Sequence, residues 1–386
     1  MAMAERPIVV AGGSSSRMDE GWGMMGSDSG GSGSGSGRFP NVRYSASFSS
    51  SGGDEDGSGS GSLSSSDSEW WLPADAPEAA VRAMGVRRAI EKAAANHHSR
   101  RRGAASPPPP MDADDARSVL PCRLGAEVVR VDWKEASGRE ALAELIASET
   151  PCVVVGAEAT LPMGWDAARW KAEYGETTVP LNATLRDRVD MPLGWYLDLV
   201  AEQTEDVGLY LRNLHLCRWF PAAAAETQTP PAPMGSNRMD ELRDVVPQWW
   251  LSWAELFISG CGTRTPLFHV DVCATHAWSG QIQGHKRFFV APPSSTSAVY
   301  PIKDQPLVSR ISKPDRASLG TFPEFASAEL SVVDLAPGQL LYIPPGWWHT
   351  AVAVGVGPCI TLGGNFVNDS NYERVAAAAA ARSVTT

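Results

Sequence analysis

No two cysteines in this chain of 386 residues are spaced C-x-x-C, and the six present (Cys122, Cys152, Cys217, Cys261, Cys273 and Cys359) are scattered. That excludes the usual zinc-finger modules and gives no disulfide framework. A reducing compartment is the default, so nucleus or cytoplasm is the expected location. Also missing is any run of about 18 apolar residues, so no membrane span is expected. The short apolar stretch at the start lacks the basic entry and longer apolar core of a secretory signal. Glu5 precedes it, and Asp19 and Glu20 follow; these acids also argue against a transit peptide. Positive charge is in short supply, with 33 Lys and Arg against 44 Asp and Glu, a net charge of −11. This argues against a nucleic-acid groove as the main surface and makes a basic peptide the easier partner. No internal repeat is visible.

What is abundant first is glycine and serine. Residues 12 to 68, with GSDSGGSGSGSG and GSGSGSLSSSDS, bury too little apolar surface to offset their ordering entropy. Residues 1–117 therefore read as a disordered leader, with a short helix predicted over 76–95 from APEAAVRAMGVRRAIEKAAA. Arg100 to Arg102 and the prolines at 107 to 110 read as a solvated linker. The folded domain spans 118–375, with its core at 250–368, and 376–386 forms a helical tail. Strands are predicted over Ala126–Val131, PCVVVG at 151–156 and GLYL at 208–211. Helices are predicted over Glu140–Ala147, Trp165–Tyr174 and Leu193–Glu205, and a long loop over 221–237.

The C-terminal half is nearly all β by pattern. Leu267–Asp271, Trp278–Gln283, Lys286–Ala291, Leu330–Leu335, Leu340–Ile343, Thr350–Val354 and Cys359–Phe366 are short apolar runs parted by Gly and Pro. Pro337-Gly338 suits the centre of a type II turn. The expected class is mainly β, a sandwich or barrel.

Three residues in this half carry chemistry. On a strand, His269 and Asp271 point to one face, and His349 follows the PPGWW turn at the start of another strand. Two imidazoles and one carboxylate suit a non-haem iron(II) and leave three positions for a bidentate cosubstrate and O2. Counting by twos puts Lys286 on a face with Ile282, Phe288 and Val290, with Gln281 on the other. An inward ammonium needs an anion, which a dicarboxylate supplies, whereas a bulge at Gly284 would turn Lys286 to solvent. If residues 355–357 close a hairpin, Thr361 pairs with Ala351 and offers its hydroxyl to the same anion; a longer loop would turn it away. His276 completes HxDxxxxH but falls past a turn from Asp271.

The string HVD, HAWSGQIQGHKRFFVAPP, LAPGQLLYIPPGWWHTAV, PCITLGGNFV resembles Jumonji C (JmjC) domains of the cupin superfamily. It is most similar to the phosphatidylserine-receptor subgroup, which contains lysyl hydroxylases. The resemblance is strong over 253–368 and loose over 118–375. It implies a double-stranded β-helix, the cupin jelly-roll barrel, with flanking helices and iron(II) on His269, Asp271 and His349. It also implies 2-oxoglutarate chelating that iron, its far carboxylate on Lys286 and a nearby hydroxyl. Tyr210 and Thr361 are similar to family residues that contact the cosubstrate. Thr265, Ser279 and Asn365 are further candidates, each at a departure from the family pattern. Thr265 stands one position off the family hydroxyl residue, Ser279 replaces an asparagine, and Gly363-Gly364 adds a residue before Asn365.

The function these readings imply is 2-oxoglutarate-dependent hydroxylation of a protein side chain, Lys or Arg among the candidates. An apolar cavity of Trp278, Trp347, Trp348 and Phe288 would shield the reaction. The second reading is a JmjC lysine demethylase. A third, from outside enzymology, is a decayed cupin acting as a binding scaffold, which a metal-free protein that still bound a partner would support.

Overall fold

The β-branched runs sort into two facing sheets, and the computed structural model describes residues 8–11, 42–45, 120–182, 188–203, 206, 208–266 and 268–383. The strands, in chain order, are β1 (Ile8–Ala11), β2 (Val42–Ser45), β3 (Arg123–Leu124), β4 (Val129–Asp132), β5 (Cys152–Val155), β6 (Thr178–Asn182), β7 (Arg188–Pro192), β8 (Leu211–His215), β9 (Glu255–Ser259), β10 (His276–Gln283) and β11 (His285–Ala291). They continue with β12 (Pro301–Ile302), β13 (Gln305–Ser309), β14 (Glu329–Leu335), β15 (Leu340–Ile343), β16 (Trp348–Val354) and β17 (Cys359–Phe366). The larger sheet runs β4-β5-β15-β10-β17-β9-β8 and the facing one β16-β11-β14-β3. The predicted cupin barrel is the fold observed.

The core divides along the faces of these sheets. Val153, Ala277, Phe288, Val290, Val333, Leu335, Leu341, Ile343 and Ala351 pack between them as the barrel interior. Trp278, Ile282, Leu340, Tyr342, Ile360 and Leu362 lie on the other side of the larger sheet. There they pack under the helices α1 (Ala136–Ala147), α2 (Ala167–Tyr174), α3 (Leu193–Ala201), α4 (Leu216–Trp219) and α5 (Pro221–Ala225). The closing helix α6 (Tyr372–Ser383) packs through Val375 and Ala379 onto Trp250 and Trp253. Gly364 is fixed by a close approach, since a Cβ there would lie 2.0 Å from the Trp253 carbonyl oxygen.

Most predicted elements are found, with corrections. Within the leader only IVVA and VRYS are described, as β1 and β2, which pair in parallel, with β1 also pairing β7; this does not alter the reading of the leader as a whole. The rest of the leader, including the helix read at 76–95, lies outside the described residues. The loop at 221–237 holds α5 and a 3-10 turn at Ala232–Met234. GLYL is not itself a strand: Tyr210 makes an isolated bridge to Asn182, and β8 begins at Leu211. The Pro337-Gly338 turn is as expected, with Gly338 at φ +83° and Gln339 N–H donating to Ala336 O at 3.1 Å.

A larger correction concerns β16 and β17. They do not form a hairpin, because β16 pairs with β11 while β17 pairs with β10 and β9 in the other sheet. The glycines at 355 and 357, both at positive φ, turn the chain across the barrel instead. The same crossing occurs at Gly284 (φ +69°), with a register shift between Gln281 and Gln283. Counting by twos therefore fails there: Ile282 lies on the outer face of the larger sheet, while Lys286 is inside, along with Gln281.

Candidate metal centre

The strand read over Leu267–Asp271 is not formed as one: among the described residues 268–271, only His269 makes isolated bridges, to His349 and Val308. Phe268 and Val270 nevertheless pack on the outer side of the smaller sheet, which turns His269 and Asp271 to the interior. His269 is locked opposite His349 by two backbone bonds: His269 N–H donates to His349 O at 3.1 Å, and His349 N–H to His269 O at 2.8 Å. Such a pair presents both side chains on one face, and the two rings stand 4.3 Å apart between centroids. Asp271 completes the group, with His269 Nε2 at 3.8 Å from one carboxylate oxygen and His349 Nε2 at 3.9 Å from the other. All three donor atoms lie within 4.8 Å of one another. His349 Nδ1 lies 3.2 Å from the Trp347 carbonyl, which only an N–H can satisfy. That assigns the proton to Nδ1 and leaves the Nε2 lone pair facing the cluster, the tautomer a metal ligand requires. The set is the two-histidine, one-carboxylate arrangement and fits an octahedral divalent ion with open positions.

Deeper in the barrel lies an anion-seeking end. Lys286 is only 5% exposed, and its Nζ donates to the Tyr210 hydroxyl at 3.0 Å. The Phe257, Tyr210 and Phe288 rings surround it at 5.0, 5.6 and 5.7 Å. Among the described residues no carboxylate pairs with it. Thr361 is buried opposite Phe257 in the register of β9 and β17, and its hydroxyl donates to Gln281 Oε1 at 3.0 Å.

The remaining candidates are placed by their strand partners. Ser279 is buried and faces Gly363 across β10 and β17. Asn365 sits opposite Ala277, its amide donating to the Thr275 hydroxyl at 2.8 Å. Thr265 is tied to β16 by its backbone, N–H to Ala351 O at 2.8 Å. Of the aromatics expected around the cavity, Phe288 and Trp347 belong to the interior cluster. Trp278 and Trp348 point outward, because each alternates with an inward neighbour, Ala277 on β10 and His349 on β16. His276 is a structural core histidine. It is fully buried, stacked on Phe366, and bonded to the Tyr342 hydroxyl at 2.9 Å and to Asn368 at 3.1 Å. Burial lowers its pKa to about 4, against the raising effect of Asn368.

Sequence reasoning missed β9 and the two interior residues it carries, Phe257 and Glu255. Glu255 is 7% exposed and accepts from the Asn213 amide at 2.9 Å. Burial raises its pKa to about 7, the Asn213 bond lowers it, and the charge of Asp271 raises it further. The alternation in ELFIS was the available signal.

The barrel and the facial triad together define a cupin of the JmjC type. The chain belongs to the family described as a cupin-like domain, which matches residues 138–372. It is similar to mouse HSPB1-associated protein 1, at 36% identity over 45% of this chain and 37% of the relative. It is similar to the arginine-specific demethylase JMJ20 of Arabidopsis thaliana, at 23% identity over 64% of this chain and 59% of that one. A third relative is the chicken 2-oxoglutarate and iron-dependent oxygenase JMJD4, at 24% identity over 52% and 48%. The chain thus covers less than two thirds of each of these three relatives.

Proposed function

We propose that this chain is an iron(II)- and 2-oxoglutarate-dependent oxygenase that hydroxylates a protein side chain. The observation that carries the reading is the triad His269, Asp271 and His349 at one end of a barrel whose interior holds a buried lysine. Iron bound there would activate O2, with 2-oxoglutarate supplying two electrons and leaving as succinate and carbon dioxide.

The protein's own share is positional. The paired backbone of His269 and His349 fixes the two imidazoles, and the Trp347 carbonyl holds the His349 proton away from the metal side. Lys286, steadied by the Tyr210 hydroxyl, receives the far carboxylate of the cosubstrate, and Thr361 stands on the same interior face to add a hydroxyl. Thr265, Ser279 and Asn365 are assigned lesser parts in shaping the cosubstrate end. Phe288, Val290 and Ala351 keep water from the space between.

A demethylase is the second reading, favoured by the likeness to JMJ20. Hydroxylation of an N-methyl carbon gives a carbinolamine that releases formaldehyde, so the same site serves. The test is succinate formation by the iron-loaded chain given 2-oxoglutarate and oxygen, with Asp271→Ala as control. Turnover confined to the wild type supports the oxygenase; equal turnover in the variant overturns it. Formaldehyde from methylated peptides would rank the demethylase first.

A further inference from the structure

We propose that Asn371, at the head of the closing helix α6, is a positioning residue for the metal. It holds the turn that aims the Asp271 carboxylate, and so couples the docking of α6 to metal affinity. This rests on the oxygenase reading, whose metal centre needs that carboxylate.

Upstream of Asp271 the chain is anchored by ordinary backbone pairing, His269 to His349 in both directions and Val270 N–H to Leu307 O at 2.8 Å. Downstream the backbone is strained. Only four residues separate Asp271 from the start of β10 at His276. Two of them, Cys273 (φ +53°) and Ala274 (φ +55°), are successive non-glycine residues in the left-handed region. Each Cβ there crowds its own backbone, and such a conformation persists only where the surroundings over-determine it.

Hydrogen bonds from the last part of the domain supply that constraint. Thr275 donates twice to Val272 O, through its N–H at 3.1 Å and its hydroxyl at 2.9 Å, and the Asn365 amide donates to the same hydroxyl at 2.8 Å. The Asn371 amide donates to the carbonyl of Ala274, the second strained residue, at 3.0 Å. Asn371 is fully buried. Its Oδ1 accepts from Asn368 N–H at 2.8 Å, which fixes the amide with its NH2 toward Ala274. Its carbonyl accepts from Val375 N–H at 2.9 Å in the first turn of α6, and Val375 and Ala379 of that helix share one apolar cluster with Cys273. The strained turn is thus held between the carboxylate and the helix. Relaxation to negative φ would send the backbone after Asp271 on another course. The carboxylate would then leave its place 3.8 and 3.9 Å from the two imidazoles.

The experiment titrates the full chain, stripped of metal, with manganese(II) and reads the free ion by electron paramagnetic resonance. Asn371→Asp keeps an acceptor for Asn368 N–H but has no N–H for Ala274, and its manganese affinity should fall at least about tenfold. Asn371→Ala should match it, which separates loss of the donor from the added charge. Val375→Ala loosens the same helix without touching the amide. It should lower the urea midpoint yet leave manganese affinity within about threefold of the wild type. Ala274→Gly removes the Cβ that strains the turn, so in its background Asn371→Asp should cost no more than about threefold. The proposal is overturned if folded Asn371→Asp and Asn371→Ala bind manganese like the wild type, or if Val375→Ala loses as much affinity as they do. It is also overturned if the loss in Asn371→Asp persists undiminished beside Ala274→Gly. If neither Asn371 variant folds, the residue determines the fold rather than the ligand, and the proposal falls as well. Each of these results leaves the oxygenase reading standing. A wild type that binds no manganese removes both.

Discussion

Replacing Lys286 with methionine should move stability and cosubstrate binding in opposite directions. Lys286 is 5% exposed, ringed by Phe257, Phe288 and Tyr210, with the Tyr210 hydroxyl as its hydrogen-bond partner. In the cosubstrate-free protein its ammonium carries a desolvation cost that this bond and the three rings offset only in part. Apolar replacement of buried charges of this kind is neutral to stabilising by about 1–4 kcal/mol. Loss of the Tyr210 partner takes back about 1 kcal/mol. The apo variant should therefore gain up to about 3 kcal/mol. Binding should suffer by more, because truncating one member of a buried, hydrogen-bonded charge pair costs about 2–5 kcal/mol, roughly 30- to 5,000-fold in affinity. Urea unfolding of the apo proteins gives the first quantity, and calorimetric titration of the manganese form with 2-oxoglutarate gives the second. A variant that bound 2-oxoglutarate as tightly as the wild type, or that was destabilised by several kcal/mol, would refute the role given to this lysine.

Asp271→Ala should lose its bound divalent metal, read as metal per chain after gel filtration, while its apo form melts within a few degrees of the wild type. Gly364→Ala drives a methyl into the Trp253 carbonyl and should cost about 1–3 kcal/mol, measured by urea unfolding. His276 gives a pH signature in the apo protein. With a folded pKa of about 4 against 6.5 in the unfolded chain, its contribution is intact above pH 6.5 and lost as pH falls to 4, about 3 kcal/mol in all. Glu255 runs the other way. Raised from 4.5 to about 7, its contribution is intact below pH 4.5 and lost as pH rises through 7. The two contributions therefore offset each other between pH 4.5 and 6.5. Glu255→Gln should expose the His276 slope, with stability falling toward acid, and His276→Gln the opposite slope; unfolding curves over that range that stayed parallel for both variants would refute it.

The barrel was legible because strands β10, β11 and β14 to β17 are apolar runs cut by Gly and Pro. That His269 and Asp271 share a face was legible from alternation, since 268 and 270 face the opposite way, whereas His349 was read from its place after the PPGWW turn. What alternation does not reveal is where a chain changes sheets. Gly284 and the glycines near 355 look like bulge and hairpin signals, yet both are crossings. The error put Thr361 opposite Ala351 rather than Phe257, and Gln281 outside rather than in. β9 went unseen because a glutamate heads its interior face, where pattern rules expect an apolar residue.

The reciprocal backbone bonds between His269 and His349 join positions 80 residues apart in the chain. A nascent polypeptide ending before Pro344 already carries His269 and Asp271, but it lacks both the third ligand and the strand that aligns the first. Metal capture is thus deferred until the last barrel strands are made and docked. Tight metal retention becomes a report that the fold is complete, and an immature chain has little with which to hold a divalent ion.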